Sequence, residues 1–309
     1  MHVQRRLLVL SLAIVAALSL VACRGGTTKV DGPFSNAYPT YHDKASGITA
    51  ILGTPDLGVG TFRVAIALND EAGLIRFPAL SLRSFAPGST GTLQPPAQEV
   101  NASFYAFPDG SRGLYTASMT FDRAGAWSIV AAVPRPSGTS AMIVIPVTIA
   151  EHASAPVVGA TAPASKNRIA KDVPSLDRLT TGSTPDPALY QHRIADSRAA
   201  YQATVVVFAS PAFCTTPLCG PQVEDASDLV KTYGDRVDVI HVDLFQNPQE
   251  IKGDLSRAVR SPLLAEWGLH TDEWTFVIDG NGTIAGRFEA YAPRPEVDAA
   301  IRRSLGLRP

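Results

Sequence analysis

The chain has 309 residues, 45% of them hydrophobic and 18% charged, with a formal net charge of −1. That length and apolar content allow two cores of ordinary size once a leader is set aside. A charge balance near zero suggests no nucleic-acid partner, and no ATP, nucleotide or flavin motif is visible.

At the N-terminus, Arg5 and Arg6 precede an apolar run over 7–22 that ends at Cys23. A charged start and a short apolar core make a secretory leader, and the run falls short of the roughly 20 residues that span a membrane. Leu20, Val21, Ala22 and Cys23 resemble the bacterial lipobox. That resemblance implies that 1–22 is a lipoprotein signal peptide and that Cys23 carries acyl chains such as palmitate. The same resemblance implies a lipid anchor in the bacterial cell membrane, on the extracytoplasmic side. Residues 23–46, rich in Gly, Thr, Pro and Asn without an apolar period, read as a tether. Export leaves Cys214 and Cys219 in a compartment where disulfides persist. A pair five positions apart is a short-loop disulfide, a dithiol redox couple or two metal ligands.

Residues 47–150 alternate apolar and polar positions between Gly, Pro and Asp turns. The pattern predicts strands at 48–52, 61–68, 79–85, 103–107, 113–121, 126–133 and 142–149, an antiparallel β-sandwich of roughly 100 residues. The stretches Gly113, Leu114, Tyr115, Thr116, Ala117 and Gly125, Ala126, Trp127, Ser128, Ile129 resemble the late strands of YtkA-like and other immunoglobulin-like extracytoplasmic modules. The resemblance implies an all-β immunoglobulin-like sandwich with Trp127 in its core. His42 and His152 only flank this region and Met119 and Met142 stand alone, so a copper site built here is not supported.

Composition shifts after Glu151, which places a boundary near Ala155. Residues 186–200 turn helical in their second half. Then comes a β-branched apolar run, Thr204 to Phe208, broken by Ser210 and Pro211: a strand buried on both faces that ends in a loop. From Gln222 the period changes. Val223, Ala226, Leu229, Val230 and Tyr233 recur at helical spacing, with Glu224, Asp225 and Asp228 in the early turns. Cys214 and Cys219 therefore lie between a buried strand and a helix N-terminus, where a thiolate is stabilised.

The remainder alternates strand 237–243, helix 248–259, strand 275–279, a Gly280-Asn281-Gly282 turn, strand 283–288 and helix 295–305. This order resembles the thioredoxin fold. Phe208, Phe213 and Cys214 are similar to the thioredoxin spacing from strand to aromatic to first cysteine. Val158, Gly159, Ala160, Thr161, Ala162 and Pro163 resemble the Gly-x-x-Ala-Pro entry of thioredoxin-like and peroxiredoxin-like domains. Phe276, Val277, Ile278, Asp279, Gly280, Asn281 and Gly282 resemble a hairpin of membrane-tethered thioredoxin-like reductants. Together they imply two domains, the sandwich followed by an α/β thioredoxin-like fold over 156–309.

The motif departs from that family in two ways. Thioredoxins use Cys-x-x-Cys, whereas here four residues intervene; five helical positions rise about 7.5 Å, beyond easy disulfide reach, although Pro217 disfavours helix at Thr216. Cys219, Gly220, Pro221, Gln222 offers a second register, but Cys214 is preferred as the nucleophile-equivalent. The stretch His270 to Thr275 also lacks the proline that thioredoxins place before this strand. Sco-type copper chaperones, which it resembles in this respect, use two loop cysteines and a histidine shortly before the strand. Cys214, Cys219 and His270 would form such a set, a soft one suited to copper; otherwise His270 is a surface-loop residue. Peroxidase chemistry fits less, since Val207, Ser210 and Pro211 do not reproduce the peroxiredoxin arrangement before Cys214.

The resemblances favour a thiol–disulfide oxidoreductase in which Cys214 attacks and Cys219 resolves, with no cofactor required and envelope thiols, disulfides or a redox protein as partner. Copper delivery is the second reading, and a lipoprotein with a structural Cys214–Cys219 bond is the third.

Overall fold

The structure, a computed structural model, describes residues 28–29, 38–89, 94–213 and 222–308. Among the described residues, the chain up to Ala150 forms eleven strands: β1 (Thr28–Lys29), β2 (Thr40–Asp43), β3 (Ile48–Leu52), β4 (Leu57–Gly58), β5 (Gly60–Asp70), β6 (Gly73–Leu74), β7 (Ala79–Phe85), β8 (Gln98–Ala106), β9 (Gly113–Phe121), β10 (Gly125–Pro134) and β11 (Ser140–Ala150). All belong to one sheet, ordered β1-β2-β3-β5-β9-β8-β7-β10-β11-β4 with β6 on β5; β4 pairs with β11 in parallel and its neighbours are antiparallel. The eight longer strands curl until the ends of the path meet. There the Tyr41 hydroxyl on β2 donates to the Pro146 carbonyl on β11 at 2.9 Å. Inward residues such as Ile66, Leu68, Tyr115, Phe121, Trp127 and Ile145 fill the barrel-like interior. Trp127 meets Phe121 edge-on with centroids 5.3 Å apart and donates its Nε1–H to the Arg123 carbonyl, so it is a core residue.

A second, smaller sheet comprises β12 (Ala203–Ala209), β13 (Val237–Asp243), β14 (Trp274–Asp279) and β15 (Ile284–Glu289), in the order β13-β12-β14-β15. β12 and β13 are parallel; the other two pairings are antiparallel. The α-helices among the described residues are α1 (Ile194–Ala200), α2 (Gln222–Tyr233), α3 (Pro248–Ile251), α4 (Pro262–Glu266) and α5 (Arg294–Ser304). α2 and α5 bury Leu229, Val297 and Ile301 against Val205, Val207 and Val239 on one face. Ile194, Leu264 and Trp267 pack against Val206, Phe208 and Phe276 on the other. Being covered on both sides, β12 and β13 are buried at every residue, which is why Val205 to Ala209 of β12 read as a continuous apolar run.

This architecture corrects the expected fold class. The molecule is mostly β: a nearly closed barrel-like antiparallel sheet stands where an immunoglobulin-like sandwich was expected, and the small second sheet with its short helices makes no clear α/β thioredoxin fold. The physical reasons are local. Alternation marks which side chains point inward, but the same alternation serves two facing sheets or one sheet that curls shut. The expected helix over 248–259 shrinks to the single turn α3, because Lys252 and Gly253 adopt left-handed φ values of 48° and 83°. Thr28–Lys29 and Thr40–Asp43, both inside the stretch read as a tether, are the paired strands β1 and β2.

The two sheets share a buried polar seam. Arg287 of β15 donates to the Asp56 carboxylate at 2.7 Å and its carbonyl at 3.0 Å, stacked 4.8 Å from the Trp274 ring centroid. Asp56 in turn accepts from the backbone N–H groups of Ser154 and Ala155, both at 2.8 Å. Glu289, only 1% exposed, accepts from the Asp56 N–H at 3.0 Å and the Thr271 hydroxyl at 2.7 Å. Gly268, at φ +63°, passes so close to Ser154 and Ala155 that a Cβ would lie 2.2 Å from the Ser154 carbonyl oxygen.

Candidate functional site

β12 ends at Ala209, and Ser210 to Phe213 form the first turn of the connection that leads to α2. Cys214 and Cys219 lie within 214–221, outside the described residues, as does Cys23. The structure does place both ends of that connection. On the strand side the Phe213 N–H donates to the Ser210 carbonyl at 3.2 Å, and the Phe213 ring meets Phe245 edge-on at 6.1 Å. On the helix side α2 opens at Gln222, whose buried side chain is clamped by Ala292: its Oε1 accepts from the Ala292 N–H at 2.8 Å and its Nε2 donates to the Ala292 carbonyl at 3.5 Å.

Beneath the strand end sits a polar cluster that the sequence reading did not assemble. Asp243, last residue of β13, accepts at Oδ2 from the Thr181 N–H (2.7 Å) and hydroxyl (2.9 Å), and at Oδ1 from the Phe245 N–H (3.0 Å). The Thr181 Oγ1 also lies 2.9 Å from the Ser210 hydroxyl and accepts from the Ala212 N–H at 3.3 Å. Burial pushes the Asp243 carboxyl up, against the opposing effects of nearby His241 and the Thr181 and Phe245 bonds. With Asp243 ionised, Thr181 donates to it and Ser210 donates to Thr181. Protonation of Asp243 allows the chain to reverse, since each hydroxyl has one hydrogen and can turn.

His241, read from the sequence as a core or sheet-face residue, is that. Its Nε2 lies 3.0 Å from the Ala209 carbonyl and its Nδ1 lies 2.8 Å from the Tyr190 hydroxyl. A carbonyl can only accept, so Nε2 carries the hydrogen and Nδ1 accepts from Tyr190. Burial lowers its pKa and keeps this neutral form. A cavity of about 180 Å³ opens beside His241, Asp243 and Tyr190, with Lys166 and Arg168 at its wall. The sequence signal for this cluster was His241 and Asp243, two of the three polar residues, with Asp238, of a strand whose other four positions are valine or isoleucine.

His270, the third member of the expected copper set, is exposed on the loop between α4 and β14, flanked by buried Leu269 and Thr271. Among the described residues no group of three or more His, Cys, Asp or Glu side chains is placed to hold a metal ion. The described donors therefore do not themselves make a copper centre around His270. No described helix is long and apolar enough to cross a membrane.

No family model matches the chain, and no curated protein matches it. Among solved structures, MtrC from Shewanella baltica OS185 is similar at 14% identity over 50% of this chain, with a TM-score of 0.20. The match spans 29% of that protein's length.

Proposed function

We propose that this chain is an extracytoplasmic protein, lipid-anchored at Cys23, that carries out thiol–disulfide exchange with Cys214 and Cys219. The observation that supports the reading is where the cysteine connection is rooted: it joins the carboxyl end of the fully buried β12 to the first residue of the twelve-residue α2. Unpaired N–H groups at a helix start favour an anion, which lowers a thiol pKa, and the carboxyl ends of parallel strands are where such sheets place their sites.

In the forward step the Cys214 thiolate attacks one sulfur of a partner disulfide, and the other sulfur leaves as a thiolate that takes up a proton. The Cys219 thiolate then attacks the Cys214 sulfur, which releases the partner as a dithiol and leaves the Cys214–Cys219 disulfide. Two electrons have passed to the partner. Ser210, Thr181 and Asp243 offer a hydroxyl chain, ending on a carboxylate that burial makes more basic, along which a proton released at the strand end can move. No cofactor takes part. Copper enters only as cargo: two thiolates and the exposed His270 imidazole are a soft donor set, and no step is routed through the metal. Titration of the reduced chain with Cu(I) tests it, since His270→Ala must weaken any stoichiometric binding.

Cys214→Ser is expected to reduce turnover of a model protein disulfide to the uncatalysed background, while Cys219→Ser traps the mixed disulfide. Wild-type turnover retained in Cys214→Ser would refute the assignment.

A further inference from the structure

The four residues 290–293, between β15 and α5, touch both the barrel-like sheet and the start of α2. Ala290 is fully buried and held at φ +60°, a left-handed conformation that a non-glycine residue keeps only when its surroundings enforce it. Those surroundings are visible. The Ala290 N–H donates to the Glu273 carbonyl at 2.8 Å, and the carbonyls on either side, of Glu289 and Tyr291, accept from Nη1 and Nη2 of Arg63 at 2.8 and 2.9 Å. Arg63 belongs to β5 of the barrel-like sheet, and its Nε is fixed on Glu296 of α5 at 2.7 Å.

The Tyr291 ring then packs on Phe107, from the barrel side, with centroids 4.3 Å apart. Its hydroxyl reaches the other way and donates to the Asp225 carboxylate, in the first turn of α2, at 2.9 Å. The next residue, Ala292, holds the Gln222 amide at both of its polar atoms. A continuous path of contacts therefore runs from β5 and Phe107, through Tyr291 and Ala292, to the residue at which the cysteine connection ends.

We infer that residues 290–293 are a strap by which the barrel-like sheet fixes the start of α2, with Tyr291 and Gln222 as positioning residues for the dithiol connection. The consequence for redox chemistry rests on the thiol-exchange reading above. The positive end of a helix stabilises a thiolate only if it is held in place, so loosening the strap weakens the reduced form and lowers the reduction potential.

The test uses the full chain in detergent micelles, with two readouts. Tyr291→Phe keeps the ring on Phe107 and deletes only the hydroxyl; Gln222→Met keeps the bulk and deletes both amide bonds. Hydrogen exchange at the first turn of α2 is expected to quicken about fivefold to tenfold in each, the size of a lost hydrogen bond. Phe107→Leu, altered only on the barrel side, is expected to act in the same direction. The midpoint potential of the cysteine pair is expected to become more negative, by about 30 mV for a tenfold change in its equilibrium constant. Unchanged exchange at the start of α2 overturns the strap. Faster exchange with an unmoved potential overturns the positioning role and leaves a merely structural contact. A wild-type pair that does not exchange with thiols overturns the thiol-exchange reading instead, and the strap is then decided by hydrogen exchange alone.

Discussion

Replacing Arg287 by alanine is expected to destabilise the chain by about 3–5 kcal/mol, the cost of leaving one partner of a buried ion pair behind. The guanidinium is held between the Asp56 carboxylate, at 2.7 Å, and the rings of Trp274 and Phe62, whose centroids lie 4.8 and 5.3 Å from it. The two side chains of the pair are only 5% and 12% exposed, so water cannot take over from the lost cation. Asp56 would keep the Ser154 and Ala155 N–H groups but lose its counter-charge, and Glu289 would lose the attraction of the Arg287 cation. The midpoint of urea unfolding checks this, with the slope unchanged. A loss below about 1 kcal/mol would mean that the pair behaves like a surface salt bridge and that the seam is not what joins the sheets.

Stability is expected to fall as pH rises from about 6.5 to 8, and Glu289 is the cause. Burial pushes its carboxyl from 4.5 up to about 8, with Thr271 and Arg287 opposing. Below pH 4.5 the group is protonated both folded and unfolded. Between 4.5 and 8 only the folded chain holds the proton, so its stabilising contribution is full at the acid end and lost as pH climbs through the folded pKa, by about 1.4 kcal/mol per pH unit. Over the upper part of that window the loss is about 2 kcal/mol. Half-buried Asp225 and buried Asp243 are raised as well and act with the same sign. His241 has the opposite sign: its pKa is lowered by burial, so its contribution is lost as pH falls through the ordinary histidine value, which is why the measurement belongs above pH 6.5. Unfolding midpoints at pH 6.5 and 8 in the wild type and in Glu289→Gln separate the effects. The neutral amide should flatten the slope; an equal slope in both would assign it elsewhere.

Much of the chain's local order was legible from periodicity. The helical spacing of Val223, Ala226, Leu229 and Tyr233 placed α2 at 222–233, where it stands, and the apolar run around Val239 placed β13 at 237–243. Strands at 48–52, 79–85 and 113–121 also coincide with β3, β7 and β9. What periodicity could not carry was the class of fold. Whether β2 approaches β11 depends on curl and register, which alternation leaves open, and the turn at Lys252 depends on a left-handed residue that no composition rule demands there. The polar seam and the strap were illegible for another reason. Asp56 meets Arg287 and Arg63 meets Glu296 across more than two hundred positions, and several of the contacts of 290–293 run through backbone carbonyls that every residue possesses. Of the site, the sequence named Cys214, Cys219 and His270; the strand and helix that root the cysteine connection are described, whereas Ser210, Thr181, Asp243 and Gln222 emerged only from their contacts.

The midpoint potential of the Cys214–Cys219 pair in the full chain, equilibrated against a thiol–disulfide buffer, tests the proposed exchange chemistry most directly. A value between about −120 and −270 mV, the range of thiol–disulfide oxidoreductases, is the expected result. A value below about −300 mV would make the bond a structural one and contradict the proposed exchange function.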